Sequence, residues 1–542
     1  MRLNSIRLKT VVTFSIVATV LFGAIAIANG APLAQWWRGC PADPPTRTPW
    51  PIQPTLTLRP PYDEQPTYTP NPLPTCRPTS TLDPNPSPTP YPTEPPLDTP
   101  TPYPTATDYP PQPVETPEPT ATDTPEPPTP TPTEEPSTCT IVVPDEHGTV
   151  QAGVNAAVSG DTVCVRDGTY YEQVVVSTDS VIVAAYPGEQ PVIDAQDTLP
   201  GDYHGFLIML SGDYVTLSGI EIRNVYGTAV GVTGDHNVVR NMKIHHCLNK
   251  AIFVGGSGTG NLVESNEAWM TSLIHEGVNL GGNWAGSITA ARYPHDTVIR
   301  GNVVHETWGI GIQTYEAYNT VIEDNIVWNN QLEHYYVNNA PGAIVRRNLA
   351  YSTPDSIFKY KDEVGVGIAF CDEASEPVSQ NVTIVNNLVL GCKRGFYFFN
   401  QQEGSGLKHF LIAHNTFVDS RVAGIQINAG DHESSRIQNN IIVQDEYAAP
   451  VAIVADATGL QFSYNLWSET PPSSASGTGD VVGDPLLTGG AWEAGTLMPG
   501  WFWLLAGSPA IDAGTVLSEV LKAFDGVTRP QGAGYDIGAF EQ

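Results

Sequence analysis

The sequence predicts an all-β protein built on a right-handed parallel β-helix, a solenoid with three short strands in each coil. The leading observation is a phrase that recurs between residues 238 and 467, in which an alternating apolar run ends on asparagine and more apolar residues follow. Successive copies lie as little as 23 residues apart, and such a period combined with alternation is typical of β-solenoids. The repeated asparagines are Asn266, Asn302, Asn325, Asn348, Asn387, Asn415, Asn440 and Asn465.

A second short strand, usually opened by glycine, lies between the asparagine phrases. It reads GVNLGG from residue 277, GIGIQT from 309, GIAFC from 367, GFYFF from 395 and GIQIN from 424. The asparagine suits a tight corner, because its backbone tolerates the left-handed conformation and stacked amides can hydrogen-bond from coil to coil. In two earlier coils, Ile220 and Met242 take the corner position. We therefore expect the asparagines to be structural.

The charge of the chain excludes some partners. The 542 residues carry a net charge of −32 with a pI near 4.5, whereas nucleic acid and anionic membrane surfaces need a basic protein face. We expect neither as a partner. Apolar residues make up 40% of the chain, which is ample for a core. We expect a monomer.

Residues 1–30 predict export, and residues 31–138 predict a spacer. A basic start with Arg2, Arg7 and Lys9 precedes an apolar stretch at 11–27, and Ala-Ile-Ala at 26–28 offers a cleavage site. The stretch is intermediate in length between a cleaved signal and a spanning helix, so an uncleaved membrane anchor is the alternative. The following segment is dominated by Pro and Thr and lacks apolar periodicity. It is expected to be disordered and to hold the folded part away from the cell.

The β-helix is predicted to span residues 139–470. Near its start, Val150, Val154 and Val158 recur at helical spacing, so a short amphipathic helix is expected to cover the open apolar end of the solenoid. With GDTV, DGTY and YPGEQPVID behind it, this opening resembles the start of extracellular proteins of the pectate-lyase-like β-helix superfamily. The resemblance implies the fold and a polysaccharide cleft along the glycine-strand sheet. It implies no single reaction, because the superfamily includes lyases, hydrolases, epimerases and non-catalytic proteins.

An exported chain with seven cysteines is expected to form disulfides. Cys139 and Cys164 lie on neighbouring predicted strands and are the first choice of pair, and Cys371 with Cys392 is the second. Cys247 is left unpaired. No CxxC motif or His-rich cluster in the sequence predicts a structural zinc site.

Alternation along the glycine strands separates side chains that face the core from those that face solvent. The side chains predicted to face inward are Val278, Leu280, Ile310, Ile312, Ile368, Phe370, Phe396, Phe398, Ile425 and Ile427. A row of amides and rings on a rigid wall suits sugar binding, because rings stack on sugars and amides bind hydroxyls; an ordinary exposed sheet face is the alternative. The predicted binding residues are Asn279, Trp308, Gln313, His334, Tyr336, Asn338, Tyr397 and Phe399, and Gln426 and Asn428 also face out.

Long insertions near the middle coils supply titratable groups for either of two reactions. In β-elimination of a uronan, a lysine or arginine would remove the proton next to the sugar carboxylate, which Ca²⁺ held by protein carboxylates would neutralise. Calcium is thus the candidate cofactor. The candidate bases are Lys359, Lys361 and Arg292, and the candidate calcium ligands are Asp372, Glu373 and Glu316.

In glycoside hydrolysis, two carboxyl groups would act as acid and as base or nucleophile. The candidates are Glu276, Glu306, Glu316, Asp372 and Glu373. The calcium-binding aspartates of pectate lyases and the paired aspartates of polygalacturonases have no clear match in this sequence. Clustering of the candidate bases with the Asp372 and Glu373 carboxylates in one groove would favour an enzyme, and scatter around the coil would favour a binding protein.

Residues 471–542 contain GDPLL, WFWLLAGSPAIDAGT, DGVTRP and YDIGAFE, and they closely resemble the C-terminal segment called choice-of-anchor Q of secreted bacterial β-helix proteins. We expect Trp501, Trp503 and Leu504 to cover the distal open end of the solenoid. Attachment to the cell is expected through the N-terminal spacer. The aspartates expected in turns are Asp512, Asp525 and Asp536.

Together these patterns predict a secreted or cell-surface protein that acts on or binds an extracellular polysaccharide. A polysaccharide lyase or glycoside hydrolase is one interpretation. A non-catalytic glycan-binding or adhesive display protein is the other.

Overall fold

The structure is a computed structural model that describes residues 138–276 and 284–542. The predicted export signal, nearly all of the predicted spacer, and the segment with Val278, Asn279 and Leu280, predicted to be a strand, lie outside the described residues. All described residues belong to one compact unit. Within the two described ranges, no helix is long and apolar enough to cross a membrane.

Short strands dominate the described residues, beside one helix, α1 (Val150–Ala156), and two 3-10 turns at Leu273–His275 and Pro499–Phe502. The strands in chain order are β1 (Ile141–Val143), β2 (Thr162–Val165), β3 (Thr169–Tyr170), β4 (Val174–Val176), β5 (Ile182–Ala185), β6 (Val192–Asp194), β7 (Phe206–Leu210), β8 (Thr216–Ser218), β9 (Glu221–Val225), β10 (Thr228–Val232), β11 (Val238–Arg240), β12 (Lys243–Cys247), β13 (Ile252–Gly255), β14 (Leu262–Glu264), β15 (Glu267–Trp269), β16 (Gly286–Ala291), β17 (Val298–Arg300), β18 (Val303–His305), β19 (Ile310–Tyr315), β20 (Val321–Glu323), β21 (Ile326–Trp328), β22 (Tyr335–Asn338), β23 (Ile344–Arg346), β24 (Leu349–Tyr351), β25 (Ile368–Cys371), β26 (Thr383–Val385), β27 (Leu388–Leu390), β28 (Arg394–Phe398), β29 (Leu411–Ala413), β30 (Thr416–Val418), β31 (Ala423–Ile427), β32 (Ser435–Gln438), β33 (Ile441–Val443), β34 (Ala452–Val454), β35 (Leu460–Ser463), β36 (Leu466–Trp467) and β37 (Val481–Val482).

The strands form three parallel sheets along the solenoid. Sheet 1 contains β1, β2, β5, β8, β11, β14, β17, β20, β23, β26, β29, β32 and β35. Sheet 2 contains β3, β6, β9, β12, β15, β18, β21, β24, β27, β30, β33, β36 and β37, and sheet 3 contains β4, β7, β10, β13, β16, β19, β22, β25, β28, β31 and β34. Successive coils stay in register, as where Ile322 pairs with Ile299 before it and Val345 after it. The predicted parallel β-helix with three strands per coil is confirmed.

The core lies between the three sheets and is filled by apolar side chains, whose burial drives folding. Sheets 1 and 2 contribute the middle residue of their three-residue strands, such as Ile299 in sheet 1 and Val304 in sheet 2. The inward orientation predicted for sheet 3 is confirmed for Ile312, Ile368, Phe370, Phe396, Phe398, Ile425 and Ile427.

In the middle coils, each strand of sheet 3 begins with two consecutive residues that face the core. Simple alternation does not predict this double inward step. Glycine takes the first of these positions in four coils, because a side chain there would collide with sheet 2. At Gly395, for example, an added Cβ would lie 2.8 Å from the Cβ of Phe417. The glycines at this position are Gly311, Gly367, Gly395 and Gly424.

This double inward step overturns two predictions. His334 takes the glycine position of its coil and is fully buried, with Nδ1 3.0 Å from the carbonyl oxygen of Val366 and Nε2 2.9 Å from that of Tyr351. The prediction that His334 faces solvent and binds sugar is therefore wrong. Ile310, predicted to face inward, precedes the double step and packs on the outer face with Tyr336.

The repeated asparagines form a continuous ladder at the corner between sheets 1 and 2. Each Oδ1 accepts the backbone N–H of the asparagine in the preceding coil, at 2.9 to 3.1 Å from Asn266 through Asn465. Met242 donates into the start of the ladder at 3.0 Å, and Asp480 accepts at its end at 2.9 Å. The predicted coil-to-coil stacking of amides is confirmed.

The left-handed residue at this corner is the one before the ladder asparagine. φ is 57° at Asp324, 53° at Arg347 and 54° at Asn386. Among the described residues, no asparagine of the ladder has a positive φ. The ladder position therefore requires asparagine for its hydrogen bonds, and the prediction that asparagine is needed there for a left-handed backbone is wrong.

Helix α1 covers the N-terminal end of the core, as predicted. The Thr149 side chain accepts a hydrogen bond from the N–H of Ala152 at 3.1 Å and caps the helix, and Val150 and Val154 are buried. Val158 was expected to join them, but it lies beyond the last helical residue and is 66% exposed.

One of the two predicted disulfides is present. Cys139 and Cys164 are joined, with a Cα–Cα distance of 5.6 Å, which confirms the first choice. Cys371 and Cys392 are free and buried, so the second prediction is wrong. Cys371 packs on the outer face of sheet 3 and Cys392 in the main core, so the sheet separates them. Cys247 is free, as expected.

The C-terminal segment packs along the outer face of sheet 2, reaches sheet 1 through Leu517 and Val520, and does not cover the distal end. Its side chains Phe502, Leu504 and Phe540 join the outward residues of the later sheet 2 strands in one apolar cluster. Trp503, predicted to cap the end, is 53% exposed. The main core at the distal end instead includes the side chain of Ala475, from the turn that follows β36.

Aspartates hold turns in this segment, as predicted. Asp536 accepts the N–H of Asp512 at 2.7 Å, and Asp512 in turn accepts the N–H of Gly534 at 2.8 Å. Asp525 accepts the N–H of Val527 at 3.2 Å.

Candidate functional site

Strand pairing arranges the side chains on the outer face of sheet 3 in three rows that cross the strands. Row 1 contains Lys250, Ile310, Glu333, Val366 and Arg394. Row 2 contains Phe253, Thr289, Gln313, Tyr336, Ala369, Tyr397 and Gln426. Row 3 contains Ala291, Tyr315, Asn338 and Cys371.

Aromatic rings cover the middle of this face. The ring of Phe399 stacks on those of Tyr336 and Tyr397, with centre distances of 5.9 and 5.1 Å. The guanidinium carbon of Arg394 lies 4.3 Å from the ring centre of Tyr397, and its Nε donates to Gln426. Three of the predicted binding residues, Tyr336, Tyr397 and Phe399, are thus brought together.

Glu333 is the most strongly perturbed carboxyl group on this face. It lies in row 1 between Ile310 and Val366, which belong to the apolar cluster of the outer face. Burial raises the pKa of Glu333 to about 7; repulsion from Glu373 adds to the rise and the charge of Lys393 opposes it. A carboxyl group with such a pKa can both donate and accept a proton near neutral pH.

Glu373 lies at the far edge of the sheet, on the loop after β25. Its Oε1 accepts a hydrogen bond from Oη of Tyr336 at 2.9 Å, and its backbone N–H donates to Asn338 and Asn339 at 3.1 and 2.9 Å. Asn338 was predicted to bind sugar, but it is fully buried beneath this loop. Its side chain positions Glu373 and cannot reach a ligand on the face.

Asp372, predicted as a calcium ligand beside Glu373, is directed away from the face. It is 1% exposed, and its two carboxylate oxygens accept hydrogen bonds from Ser379 at 2.7 Å and Ser405 at 3.4 Å. Burial raises the pKa of Asp372, and the Ser379 and Ser405 hydrogen bonds oppose the rise. In the part of the chain that the structure describes, no group of three or more His, Cys, Asp or Glu side chains is arranged to hold a metal ion. The calcium site stays a prediction.

The predicted lysines lie at the opposite edge of sheet 3, on the loop before β25. Lys361 is exposed, with Nζ 4.9 Å from the ring centre of Tyr360. Lys359 is partly buried, and its carbonyl oxygen accepts a hydrogen bond from Gln331 at 3.1 Å. These lysines therefore lie across the sheet from Glu373. They do not form one cluster with the Asp372 and Glu373 carboxylates.

Two tryptophans pack against the same loop. The ring centre of Trp308 lies 4.9 Å from that of Phe358, and Trp284 lies 5.1 Å from Tyr360. These contacts hold the loop at the edge of the face. The binding role of Trp308 stays a prediction.

The remaining predicted residues lie toward the N-terminal coils. Arg292 follows β16, and Glu316 follows β19, the neighbouring strand of sheet 3. Burial raises the pKa of Glu316, and the charge of Arg292 opposes the rise. Gln313 lies in row 2 and is 8% exposed. Glu276 follows the first 3-10 turn, where its charge acts on His246.

Three row 1 side chains, Lys250, Glu333 and Arg394, were not chosen as site residues from the sequence. A signal for them exists, because each directly precedes the first inward residue of its sheet 3 strand. The glycine that opens most of these strands marks that position, so the residue before the glycine marks row 1. Arg394 before Gly395 is the clearest case.

Two family descriptions match parts of this chain. The family described as "Pel9A-like, right handed beta helix region" matches residues 138–307, which supports the resemblance to pectate-lyase-like β-helices. The family described as "Periplasmic copper-binding protein (NosD)" matches residues 283–424. The choice-of-anchor Q resemblance stays a prediction. No curated protein matches the sequence.

Several solved structures are similar to this chain at low identity. The pectate lyase Pel9A is 18% identical, with 72% of this chain and 90% of that chain covered and a TM-score of 0.45. The Agl-KA catalytic domain is 14% identical, with 65% and 69% covered and a TM-score of 0.49. PfbA, a surface adhesin of Streptococcus pneumoniae, is 12% identical, with 60% and 92% covered and a TM-score of 0.41. None of these similarities assigns an activity to this chain.

Proposed function

We propose that the outer face of sheet 3 binds an extracellular polysaccharide and that Glu333 is the acid catalyst that cleaves its glycosidic bonds. The observation that carries the proposal is the position of Glu333, a partly buried carboxyl group between Ile310 and Val366 on the face that carries the ring cluster. Burial there raises its pKa to about 7. A carboxyl group with this pKa still holds a proton at neutral pH and can transfer it to a leaving oxygen. An ordinary exposed glutamate, with a pKa of 4.5, is almost fully ionised there.

A second carboxylate completes the proposed reaction. Glu333 would protonate the glycosidic oxygen as its bond to the anomeric carbon breaks, and water would add to that carbon. Glu373, oriented by the hydroxyl of Tyr336 at 2.9 Å, would take the proton that the water loses. The partly exposed rings of Tyr397 and Phe399 would stack on the sugar rings.

A non-catalytic glycan-binding or adhesive protein is the second candidate function. Two observations favour it. The ring cluster of Tyr336, Tyr397 and Phe399 offers a stacking surface whether or not Glu333 transfers a proton. The predicted bases and the buried Asp372 carboxylate also do not gather in one groove, which is the arrangement expected of a binding protein. Binding without product formation would establish this candidate.

We also propose that the protein acts outside the cytoplasm. Residues 1–30 would export it, residues 31–138 would space it from the cell surface, and residues 471–542 would form a choice-of-anchor Q-like segment. The Cys139–Cys164 disulfide supports this location, because disulfides persist in oxidising compartments. The partial match to a family described as periplasmic agrees with it.

Incubation of the full chain with neutral and acidic polysaccharides tests the function. Reducing ends report hydrolysis, and ultraviolet absorbance of unsaturated products reports elimination; parallel reactions with Ca²⁺ or a chelator test the predicted cofactor. Glu333→Gln is expected to lower kcat by about 100-fold or more with little change in KM, because it removes proton transfer and keeps the shape.

Glu403→Gln is the matched control, because Glu403 is an exposed glutamate on a neighbouring loop. It should retain the wild-type rate. Full activity in Glu333→Gln would refute the proposed role of Glu333. If the products are unsaturated, the reaction is elimination and not hydrolysis. Lys359, Lys361 and Arg292 are then the candidate bases.

A further inference from the structure

The outer face of sheet 3 has an aromatic floor at its N-terminal end, separate from the ring cluster near Glu333. The rings of Phe206 and Phe253 lie with centres 5.8 Å apart and planes inclined by 30°. Glycine makes room for both rings, because a Cβ at Gly231 would collide with the ring of Phe206 and one at Gly255 with the ring of Phe253. Both rings lie over the sheet and are partly exposed.

Two cations approach this floor from opposite edges of the sheet. Lys250 lies in row 1, and its Nζ donates to Oδ1 of Asn249 at 3.0 Å. Arg292 follows β16, and its guanidinium carbon lies 5.8 Å from the ring centre of Phe253. Burial lowers the pKa of Lys250 to about 8, and repulsion from Arg292 contributes.

Neither cation forms an ion pair with a carboxylate of the described residues, although the chain has 57 acidic and only 25 basic residues. The undescribed segment 277–283, which lies next in sequence to β16, contains no Asp or Glu. Glu316 acts electrostatically on the exposed Arg292, whereas no carboxylate of the described residues lies within ion-pair distance of Lys250. The two cations repel each other, and an anion bound between them would relieve that repulsion. Arginines of the described residues that pair with carboxylates include Arg166, Arg223, Arg300, Arg346, Arg347, Arg436 and Arg529.

We propose that Phe206, Phe253, Lys250 and Arg292 form a subsite for a sugar residue that carries an anionic group, either a carboxylate or a sulfate ester. The phenyl rings would contact the apolar face of the sugar, and the two cations would bind its anionic group by charge-assisted hydrogen bonds. Lys250 and Glu333 are three strand spacings apart in row 1, about 14 Å at ~4.8 Å for each spacing. The subsite deepens the proposed function, on which it rests for the polysaccharide itself.

Equilibrium binding of the full chain to polygalacturonate, dextran sulfate and neutral dextran tests the subsite. Lys250→Gln and Phe253→Ala are expected to weaken binding of an anionic polymer by about tenfold or more and to leave neutral dextran unaffected. A loss confined to polygalacturonate identifies the group as a carboxylate, and a loss confined to dextran sulfate identifies it as a sulfate. Lys243→Gln, at an exposed lysine on sheet 2, is the matched control.

A stability measurement separates loss of the subsite from loss of the fold. Because the folded pKa of Lys250 is lowered, its charge opposes folding at pH 7, and Lys250→Gln should unfold at the same or a higher temperature than the wild type. Wild-type binding of every polymer by Lys250→Gln, or an equal loss in Lys243→Gln, would overturn the inference. If Glu333→Gln still binds the anionic polymer and Lys250→Gln does not, the subsite stands even where no glycan is cleaved.

Discussion

Lys250, Glu333 and His334 show how one step along a sheet 3 strand decides what a side chain does. Lys250 and Glu333 directly precede the first inward residue and lie on the outer face among apolar neighbours, where desolvation disfavours charge. Their pKa values, about 8 and about 7, are accordingly shifted toward neutrality. His334 is the next residue in the chain and is buried in the core, where desolvation lowers its pKa to about 4. Position 333 can therefore serve chemistry, whereas position 334 serves structure.

The raised pKa of Glu333 makes the stability of the folded protein depend on pH. Its folded pKa of about 7 lies above its ordinary value of 4.5, so the stability from this group is full below pH 4.5 and is lost as pH rises through 7. Glu333→Gln, which stays uncharged, is expected to raise the thermal unfolding midpoint at pH 8 and to change it little at pH 4. Glu403→Gln, at an exposed glutamate, is the matched control. A midpoint difference for Glu333→Gln that is equal at both pH values would contradict the assigned environment.

The strands and corners were predictable to different degrees from the sequence. The asparagine phrase predicted the ladder, because one residue type at one position of many coils needs a contact that only the next coil supplies. Alternation predicted the inward residues of sheet 3 but missed the double step, whose marker is glycine and which His334 conceals in its own coil. The burial of Asn338 was not predictable, because it depends on a loop that folds back over the sheet through contacts with Glu373.

The asparagine ladder is expected to contribute strongly to the stability of the β-helix. The side chain of Asn348 accepts the N–H of Asn325 at 3.0 Å and donates to the carbonyl oxygen of Ile322 at 2.8 Å, all in the buried interior. Asn348→Ala is expected to cost about 2–3 kcal/mol, because a buried N–H is left without an acceptor. Thermal unfolding followed by circular dichroism measures the loss. Asn400→Ala, which removes one exposed bond of 3.1 Å to Ala429, should shift the midpoint far less.

The glycines that open the sheet 3 strands are predicted to be required for packing. An added Cβ at Gly395 would lie 2.8 Å from the Cβ of Phe417 in sheet 2, so Gly395→Ala should destabilise the fold by about 1–3 kcal/mol or more. At Gly148 no atom lies within 4 Å of an added Cβ, so Gly148→Ala should be nearly neutral. Equal unfolding midpoints for the two variants would refute the double inward step.

The whole molecule uses its three outer faces differently. Sheet 1 carries alternating charges, in which Glu264 pairs with Arg300 at 2.6 Å and Glu323 with Arg346 at 2.7 Å. Sheet 2 is covered by the C-terminal segment in its later coils, and sheet 3 carries the rings and perturbed groups of the candidate site. Helix α1 covers one end, which protects unpaired strand edges from adding a further strand.

The position of the C-terminal segment was predictable only in part. Its turn aspartates were recognised from their sequence context, but its docking place was assigned to the distal end. The sequence does contain the correct signal, because most of the later sheet 2 strands are apolar at every position, as in LVL at 388–390 and IIV at 441–443. Earlier strands of the same sheet read KIH and EAW, with polar or amphipathic residues outward. A strand that is apolar on both faces needs a cover on both faces.

That cover should be sensitive to the loss of one ring. Phe502 is 1% exposed within the apolar cluster, so Phe502→Ala is expected to lose about 3–5 kcal/mol of packing and to loosen residues 483–542 from sheet 2. Limited proteolysis should then cleave this segment faster, and a dye that binds exposed apolar surface should report the uncovered strands. Trp503→Ala is the matched control, because its neighbouring ring is 53% exposed. If both variants resist protease equally, the segment is held by other contacts and Phe502 is not its anchor.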